Sequence, residues 1–294
     1  MAHTGFAALI GRPNVGKSTL MNALVGTKVA IVSDKPQTTR HRIAGVMHRP
    51  DAQIVFLDTP GVHRPHHRLG EHLARVTAGA LDGVDIAILV VEATSSAPGP
   101  GDRRAAQMVA GAGCPAFLVL NKIDAGGRGS LPAYAALLPA LAGVFAVSAT
   151  TGEGLPDLAE ALVAAMPEGP LYFPEDAVTD RPDEFLMAEL VREQIFIQTH
   201  DEVPHAVHVA VEDVAERPNG MVYIAATIYV ERESQKGIVI GRDGGMLRSV
   251  GAQARAQMTR IFGSPIYLDL RVKVKEGWRD RPGSLQSLGY RVEQ

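Results

Sequence analysis

Gly11-Arg12-Pro13-Asn14-Val15-Gly16-Lys17-Ser18 is the stretch that decides the fold. It satisfies G-x-x-x-x-G-K-[ST] in full, follows the apolar run Phe6–Ile10 and opens a run of helical spacing. A strand, a glycine-bounded loop and a helix in that order make a cradle for phosphate. The loop's N–H groups converge on one point, and the helix N-terminus adds partial positive charge. Gly11 and Gly16 let the backbone turn tightly, with Arg12, Pro13, Asn14 and Val15 between them. Lys17 brings an ammonium to the β and γ phosphoryl oxygens, Ser18 offers a hydroxyl to Mg²⁺, and Thr19 continues the first helical turn.

Working outward, short apolar runs at Gln53–Asp58, Ile86–Val91, Ala116–Leu120 and Val144–Val147 alternate with helical segments beginning at Lys17, Leu69, Gly101, Leu131 and Leu155. This alternation predicts an α/β domain over residues 1–166, with a mostly parallel sheet and helices on both faces. Ligands of such folds bind at the carboxyl ends of the strands. There Asp58-Thr59-Pro60-Gly61 ends a wholly apolar strand, which makes Asp58 a carboxylate for Mg²⁺. Gly61 becomes an N–H donor to a γ-phosphate, unobstructed by a side chain. Asn121-Lys122-Ile123-Asp124 follows the apolar strand Ala116–Leu120. A carboxylate at Asp124 accepts from the N1–H and exocyclic amine of guanine, donors that adenine lacks on that edge, so the expected ligands are GTP and GDP. Ser148-Ala149 follows the last strand and is expected to offer the Ala149 N–H to the guanine carbonyl. Gln37-Thr38-Thr39-Arg40-His41 lies where a loop must reach Mg²⁺ with a threonine hydroxyl; Thr39 is favoured and Thr38 is the alternative.

At 294 residues, 46% apolar and 21% charged, the chain has room for two globular domains. A single cysteine, Cys114, allows no internal disulfide, and the first residues lack the charged-then-apolar pattern of a leader, so a reducing cytoplasm is expected. No apolar run approaches the roughly 18 residues of a spanning helix. Peripheral contact of a fraction with the inner face of the membrane stays open.

The stretch Met166 to Pro182, rich in proline and acid, reads as a linker over 167–182. Beyond it a helix over 184–199 precedes strands at His205–Val211 and Met221–Val230, joined through Pro218-Asn219-Gly220. Gly237–Ile240, a second helix over 246–262 and a strand at Ile266–Val274 complete an α-β-β-α-α-β order in a smaller α+β domain, 183–294. Gly241-Arg242-Asp243-Gly244 occupies the G-x-x-G loop of a KH domain, where small residues let an RNA backbone approach. The net charge of −3 for the whole chain hides a division. Residues 183–235 carry 3 basic and 11 acidic side chains, residues 236–281 carry 10 and 4. Lys236, Arg242, Arg248, Arg255, Arg271, Lys273 and Lys275 form the electrostatic footprint expected for phosphates.

With GRPNVGKS, QTTRH, DTPG, NKID and VSA in the first half and VIGRDGG in the second, the chain resembles the Era family of bacterial ribosome-assembly GTPases over its whole length. The resemblance implies a type II KH fold, binding to the 3′ end of small-subunit ribosomal RNA and a role in maturing the small ribosomal subunit. It also implies a monomer in which GTP favours the RNA-competent state and hydrolysis ends it. The RNA contacts it suggests are Lys236, Gly241, Arg242, Asp243, Gly244, Arg248, Arg255 and Lys273. Two departures stand out. Val62 follows the D-x-x-G glycine where many G domains carry a water-orienting glutamine, so slow intrinsic hydrolysis is expected. Relatives with asparagine at the Asn14 position suggest a K⁺ ion near the phosphates, with Lys17, Asn14, Thr39 and Gly61 as the catalytic set; Arg40 and His63 are second candidates for charge stabilisation. Asp243 places a carboxylate beside the expected RNA path. The competing reading is a G domain acting in transfer-RNA modification or at membranes, its C-terminal half a protein or lipid adaptor.

Overall fold

The computed structural model describes residues 2–62 and 67–290, so His63 lies outside the described residues. The elements of the first half are β1 (Ala2–Ile10), α1 (Lys17–Val25), β2 (Ile43–Arg49), β3 (Ala52–Asp58), α2 (Arg68–Gly79), β4 (Ile86–Glu92), α3 (Pro100–Ala110), β5 (Ala116–Asn121), α4 (Leu131–Ala135), β6 (Gly143–Ala146), α5 (Leu155–Ala165) and β7 (Glu168–Gly169). Those of the second are α6 (Asp183–Gln198), α7 (Val203–Ala206), β8 (His208–Glu216), β9 (Val222–Val230), α8 (Glu233–Ile240), α9 (Gly245–Phe262), β10 (Ile266–Val274) and α10 (Pro282–Ser287). The chain divides into two compact units: residues 2–32, 39–62 and 73–180, and residues 33–38, 67–72 and 181–290.

In the first unit the strand order is β2-β3-β1-β4-β5-β6. β3, β1, β4, β5 and β6 run parallel; the apolar sequences of β3, β1, β4 and β5 are largely buried on both faces, as a sheet covered by helices on each side requires, while the edge strand β6 is only partly buried. Every parallel strand therefore delivers its C-terminal residue to the same edge. β2 is antiparallel on β3 and is not evident in the sequence. Gly45 interrupts its apolar run because α1 presses against it, so that a Cβ there would come within 2.9 Å of the Met21 side chain.

The stretch read as a linker lies along the first unit as far as Asp180. β7 pairs with the start of β1. The buried Gln53 amide accepts from the N–H groups of Tyr172 (2.7 Å) and Phe173 (3.0 Å) and donates to the Phe173 carbonyl (2.8 Å). Further on, Thr179 bridges to Gly45 and Asp180 Oδ1 accepts from the Ala44 N–H at 3.0 Å. Prolines do prevent regular structure here, yet a buried glutamine and the free edge of β2 both need hydrogen-bond partners, and this strap supplies them.

The second unit is a three-stranded sheet, β10-β9-β8, with β9 and β10 parallel in unbroken register and β8 antiparallel to β9. α6 and α9 pack together, α6 on β8 and α9 on β10. Helix, two strands, two helices and a parallel third strand make a type II KH fold. The strand expected from His205 instead starts at His208, because Val203–Ala206 forms a helical turn entered through Pro204.

Candidate nucleotide site and nucleic-acid groove

The loop after β1 has no room for larger residues at its glycines. A Cβ on Gly11 would stand 2.3 Å from the Val90 carbonyl, and one on Gly16, whose φ is +94°, 2.4 Å from Asn121 Nδ2. Lys17 is buried and donates to the carbonyls of Gly11 (3.1 Å) and Arg12 (3.3 Å). Burial drives its ammonium down from about 10.5 to about 8, against the opposing pull of Asp58. Burial likewise pushes the Asp58 carboxyl up, opposed by Lys17, Ser18 and Thr39.

Ser18, Thr39 and Asp58 come together. Ser18 Oγ donates to Asp58 Oδ2 at 2.6 Å, Thr39 Oγ1 to the same oxygen at 3.2 Å, and the two hydroxyls are 2.9 Å apart. Asp58 Oδ1 is buried with no hydrogen-bond partner. Two hydroxyls and a carboxylate with a spare lone pair are hard oxygen donors suited to Mg²⁺, which binds through one or two protein groups plus phosphate and water. Among the described residues no group of three or more His, Cys, Asp or Glu side chains offers a metal cage. Thr38, the alternative to Thr39, spends its hydroxyl within its own loop, 2.7 Å from both Ser33 Oγ and the Lys35 carbonyl.

Thr59 is buried with its hydroxyl on the Leu9 carbonyl at 2.8 Å, and the Pro60 carbonyl accepts from Thr77 Oγ1 at 3.0 Å. Gly61 passes so close to Pro13 that a Cβ would lie 2.6 Å from its backbone. Val62 is buried in the core and its N–H donates to the Gly11 carbonyl at 3.0 Å, so this residue has nothing with which to hold water. Arg40 is fully buried rather than solvated.

Asn121 ties the base side of the site together. Its Nδ2 donates to the Val15 carbonyl at 3.0 Å, and its Oδ1 accepts from the Ala149 N–H at 3.0 Å. That N–H, assigned from sequence to the guanine carbonyl, is thus already partnered. Ser148 is buried and accepts from the Thr151 N–H at 3.1 Å; the Ile123 N–H reaches the Val147 carbonyl at 3.3 Å. Asp124 is exposed at the loop tip rather than buried. Lys122 donates to the Asn14 carbonyl at 2.5 Å and to Glu92 Oε2 at 2.8 Å. Asn14 and Lys122 both hold left-handed backbones, with φ of +67° and +64°. Arg12 pairs with Glu92 and with Asp102, the latter at 3.2 Å. Its two carboxylate neighbours outweigh burial and raise the guanidinium's pKa; Lys122 and Arg12 outweigh burial at Glu92 and lower it. Glu92 and Asp102 escaped the sequence reading. The one available signal was an acidic residue ending the apolar strand Ile86–Val91.

In the second unit the G-x-x-G loop caps α8 and leads into α9. Gly241, Asp243 and Gly244 have φ of +72°, +49° and +72°. A Cβ on Gly241 would press to 2.7 Å from Met246. Arg248 Nη1 donates to the Asp243 carbonyl at 2.6 Å, while Arg242 and Asp243 are exposed. Beside the loop runs a groove of about 620 Å³ whose floor is apolar, from Leu247, Leu268 and Leu270, and whose charged lining residues are Arg248 and Arg255. Lys273 does not belong to it. Side chains alternate along β10; Leu268 and Leu270 face the groove, so Lys273 takes the opposite face, where it stands 3.4 Å from Glu212. Lys236 is not among the groove's lining residues and lies 3.8 Å from Glu233.

A P-loop cradle with a hydroxyl–carboxylate centre, joined in one chain to a KH fold, defines a guanine-nucleotide hydrolase with a nucleic-acid-binding module. Comparison with known proteins agrees. Residues 6–122 match the family described as 50S ribosome-binding GTPase, and residues 202–279 match the KH domain. GTPase Era of Thermotoga maritima is 46% identical over 282 residues, covering 95% of this chain and 94% of its own, and that of Heliobacterium modesticaldum is 46% identical over 297 residues, covering 98% and 97%. The crystal structure of Era in complex with MgGDPNP and nucleotides 1506–1542 of 16S ribosomal RNA superposes with a TM-score of 0.94 at 37% identity, covering 99% of this chain and 100% of its own. A variant of Aquifex aeolicus Era bound to GDP and AlF4⁻ gives 0.93 at 36%, with the same coverage. The chain belongs to the GTPase Era family.

Proposed function

We propose that the chain is a GTP-hydrolysing switch that binds the 3′ end of small-subunit ribosomal RNA and assists maturation of the small ribosomal subunit. The observation that supports this reading is the presence, in one chain, of the Ser18–Asp58–Thr39 centre and the glycine-looped groove. A relative similar from end to end holds MgGDPNP and 16S ribosomal RNA. The 50S description belongs to a family matched over residues 6–122 alone, so it bears on the nucleotide chemistry rather than on the choice of subunit. In this reading residues 1–166 carry the nucleotide chemistry, 167–182 connect, and 183–294 hold RNA. The protein acts as a monomer in the cytoplasm. No helix among the described residues is long and apolar enough to cross a membrane; contact of a fraction with the membrane's inner face would be peripheral.

The N–H groups of the loop between Gly11 and Gly16, Pro13 having none to give, and the ammonium of Lys17 bind the β-phosphate, the ammonium exchanging two loop carbonyls for phosphoryl oxygens. Bound Mg²⁺, held by Ser18, Thr39 and, through water, Asp58, would neutralise phosphoryl charge. Gly61, kept against Pro13, directs its N–H to the γ-phosphate. Asp124 accepts from the guanine N1–H and amine, with Ser148 and Ala149 closing the other side of the base. Water attacks the γ-phosphorus, the bond to the β-bridging oxygen breaks, and GDP and phosphate leave. With Val62 unable to orient that water, turnover is slow, and a K⁺ ion held beside Asn14 would supply charge in the transition state. Hydrolysis should fall when Na⁺ replaces K⁺, and Asn14→Ala should remove the difference; equal rates in both salts and in the variant would sink the K⁺ role.

On the RNA side, Gly241 and Gly244 admit the backbone, Arg242, Arg248 and Arg255 meet phosphates, and Leu268 and Leu270 underlie the bases. The test is a gel shift with an oligonucleotide of the ribosomal-RNA 3′ end under GDPNP and under GDP. Binding should be salt-sensitive and tighter with GDPNP. A protein or lipid adaptor would give no shift at any salt.

A further inference from the structure

Glu92 stands where the phosphate loop and the base-reading loop meet. It ends β4 with its side chain largely buried, 14% exposed. One oxygen, Oε1, accepts from Arg12 Nη2 of the phosphate loop and from Ser95 Oγ at 3.3 Å. The other, Oε2, accepts from Lys122 Nζ of the base-reading loop at 2.8 Å. Each cation has a second anchor. Arg12 Nε reaches the buried Asp102 at 3.2 Å, and Asp102 in turn accepts from the Gly99 N–H at 2.9 Å at the start of α3. Lys122 Nζ reaches back to the carbonyl of Asn14 at 2.5 Å. The result is a closed loop of contacts, Glu92–Arg12–phosphate loop–Asn14–Lys122–Glu92. Within it both non-glycine residues held in left-handed backbones, Asn14 and Lys122, are joined by a single hydrogen bond. Such backbones persist only where their surroundings over-determine them, and among the described residues Glu92 is a side chain bonded to both arms.

We propose that Glu92 is a positioning residue that locks the phosphate-binding and base-reading loops into one cradle and so sets the lifetime of bound guanine nucleotide. This rests on the reading of residues 11–18 and 121–124 as the nucleotide site. The β-phosphate and the base are common to GDP and GTP, so loss of the clamp should weaken both alike. A residue acting on the γ-phosphate would discriminate between them.

The experiment is stopped-flow release of fluorescent GDP and GDPNP from the full chain and from Glu92→Gln, which keeps the shape and removes the charge shared by the two cations. Release is expected to quicken by about 10- to 100-fold for both nucleotides by the same factor. KM for GTP should rise in parallel with the faster release. Glu92→Asp, too short to span both cations, should fall between the two. Release within twofold of the parent from folded Glu92→Gln overturns the proposal, as does an effect confined to GDPNP. If Glu92→Gln does not fold, Arg12→Gln severs one arm and serves the same readout: equal quickening for both nucleotides supports the clamp, and unchanged release overturns it. Failure of the parent chain to bind either nucleotide would instead refute the nucleotide-site reading.

Discussion

Raising the pH should loosen nucleotide binding through one proton on Lys17. In the nucleotide-free protein burial brings this ammonium to about 8. About one-tenth of molecules then carry it neutral at pH 7, about half at pH 8 and about nine-tenths at pH 9. A polyphosphate beside it requires the charged form, so binding above pH 8 must take a proton from solution. The dissociation constant for GDP should therefore rise about tenfold between pH 7 and pH 9, or about 1.4 kcal/mol. Terminal phosphates, with a second pKa near 6, are already about nine-tenths ionised at pH 7 and more so above, so they alter the expected rise only slightly. Calorimetry in EDTA, in two buffers of different ionisation heat, reads the uptake directly: about half a proton at pH 8 and close to one at pH 9. Leaving out the metal keeps Asp58, whose carboxyl burial pushes up, from adding a proton of opposite sign. Lys17→Arg cannot deprotonate in this range, so its weaker affinity should be flat with pH. A parent dissociation constant that is flat from pH 7 to 9, or a Lys17→Arg protein with the parent's slope, would refute the reasoning. Stability follows the same proton. Between the folded value near 8 and the unfolded value near 10.5 the unfolded chain holds more protons, so the nucleotide-free protein should gain up to about 3 kcal/mol across that window as pH rises.

Asn121→Ala should orphan the Val15 carbonyl and the Ala149 N–H together; at about 1–3 kcal/mol each the thermal midpoint falls by about 5–15 °C, and a melting curve superposable on the parent's would contradict the bridge. Gly241→Asp puts a Cβ 2.7 Å from Met246 at a φ of +72°, so a gel shift should lose the ribosomal-RNA 3′ oligonucleotide while phosphate release continues; RNA binding equal to the parent's would remove the loop from the RNA site. Arg255→Ala should lower the slope of log affinity against log salt by about one, whereas Lys273→Ala, on the far face of the sheet, should leave it unchanged. Equal slopes for the two variants would show that the groove is not where phosphate lies.

Most of the nucleotide site is legible in the sequence because each part is local: a run of consecutive residues at the end of an apolar strand, delivered to one edge by the parallel order. What joins the parts is not legible. Glu92, Arg12 and Asp102 meet only when β4, the loop after β1 and α3 are assembled, and no spacing along the chain connects positions 12, 92 and 102. β2 was hidden by Gly45, whose missing side chain reflects the packing of α1 rather than a turn. The position of Lys273 off the groove is also contained in the sequence. Ile266-Tyr267-Leu268-Asp269-Leu270-Arg271-Val272-Lys273-Val274 alternates strictly, and a leucine lining the groove places every residue an odd number of positions away on the other face.

The strap from Pro167 to Asp180 also dictates how the nucleotide-binding half could be prepared in isolation. Ending a recombinant fragment at Met166, where the last helix stops, would strip Gln53 of three hydrogen bonds at the buried end of its strand. It would also bare the outer rim of β2, an invitation to strand-to-strand association between fragments. A fragment carried through Asp180 keeps both sealed and should stay soluble where the shorter one precipitates.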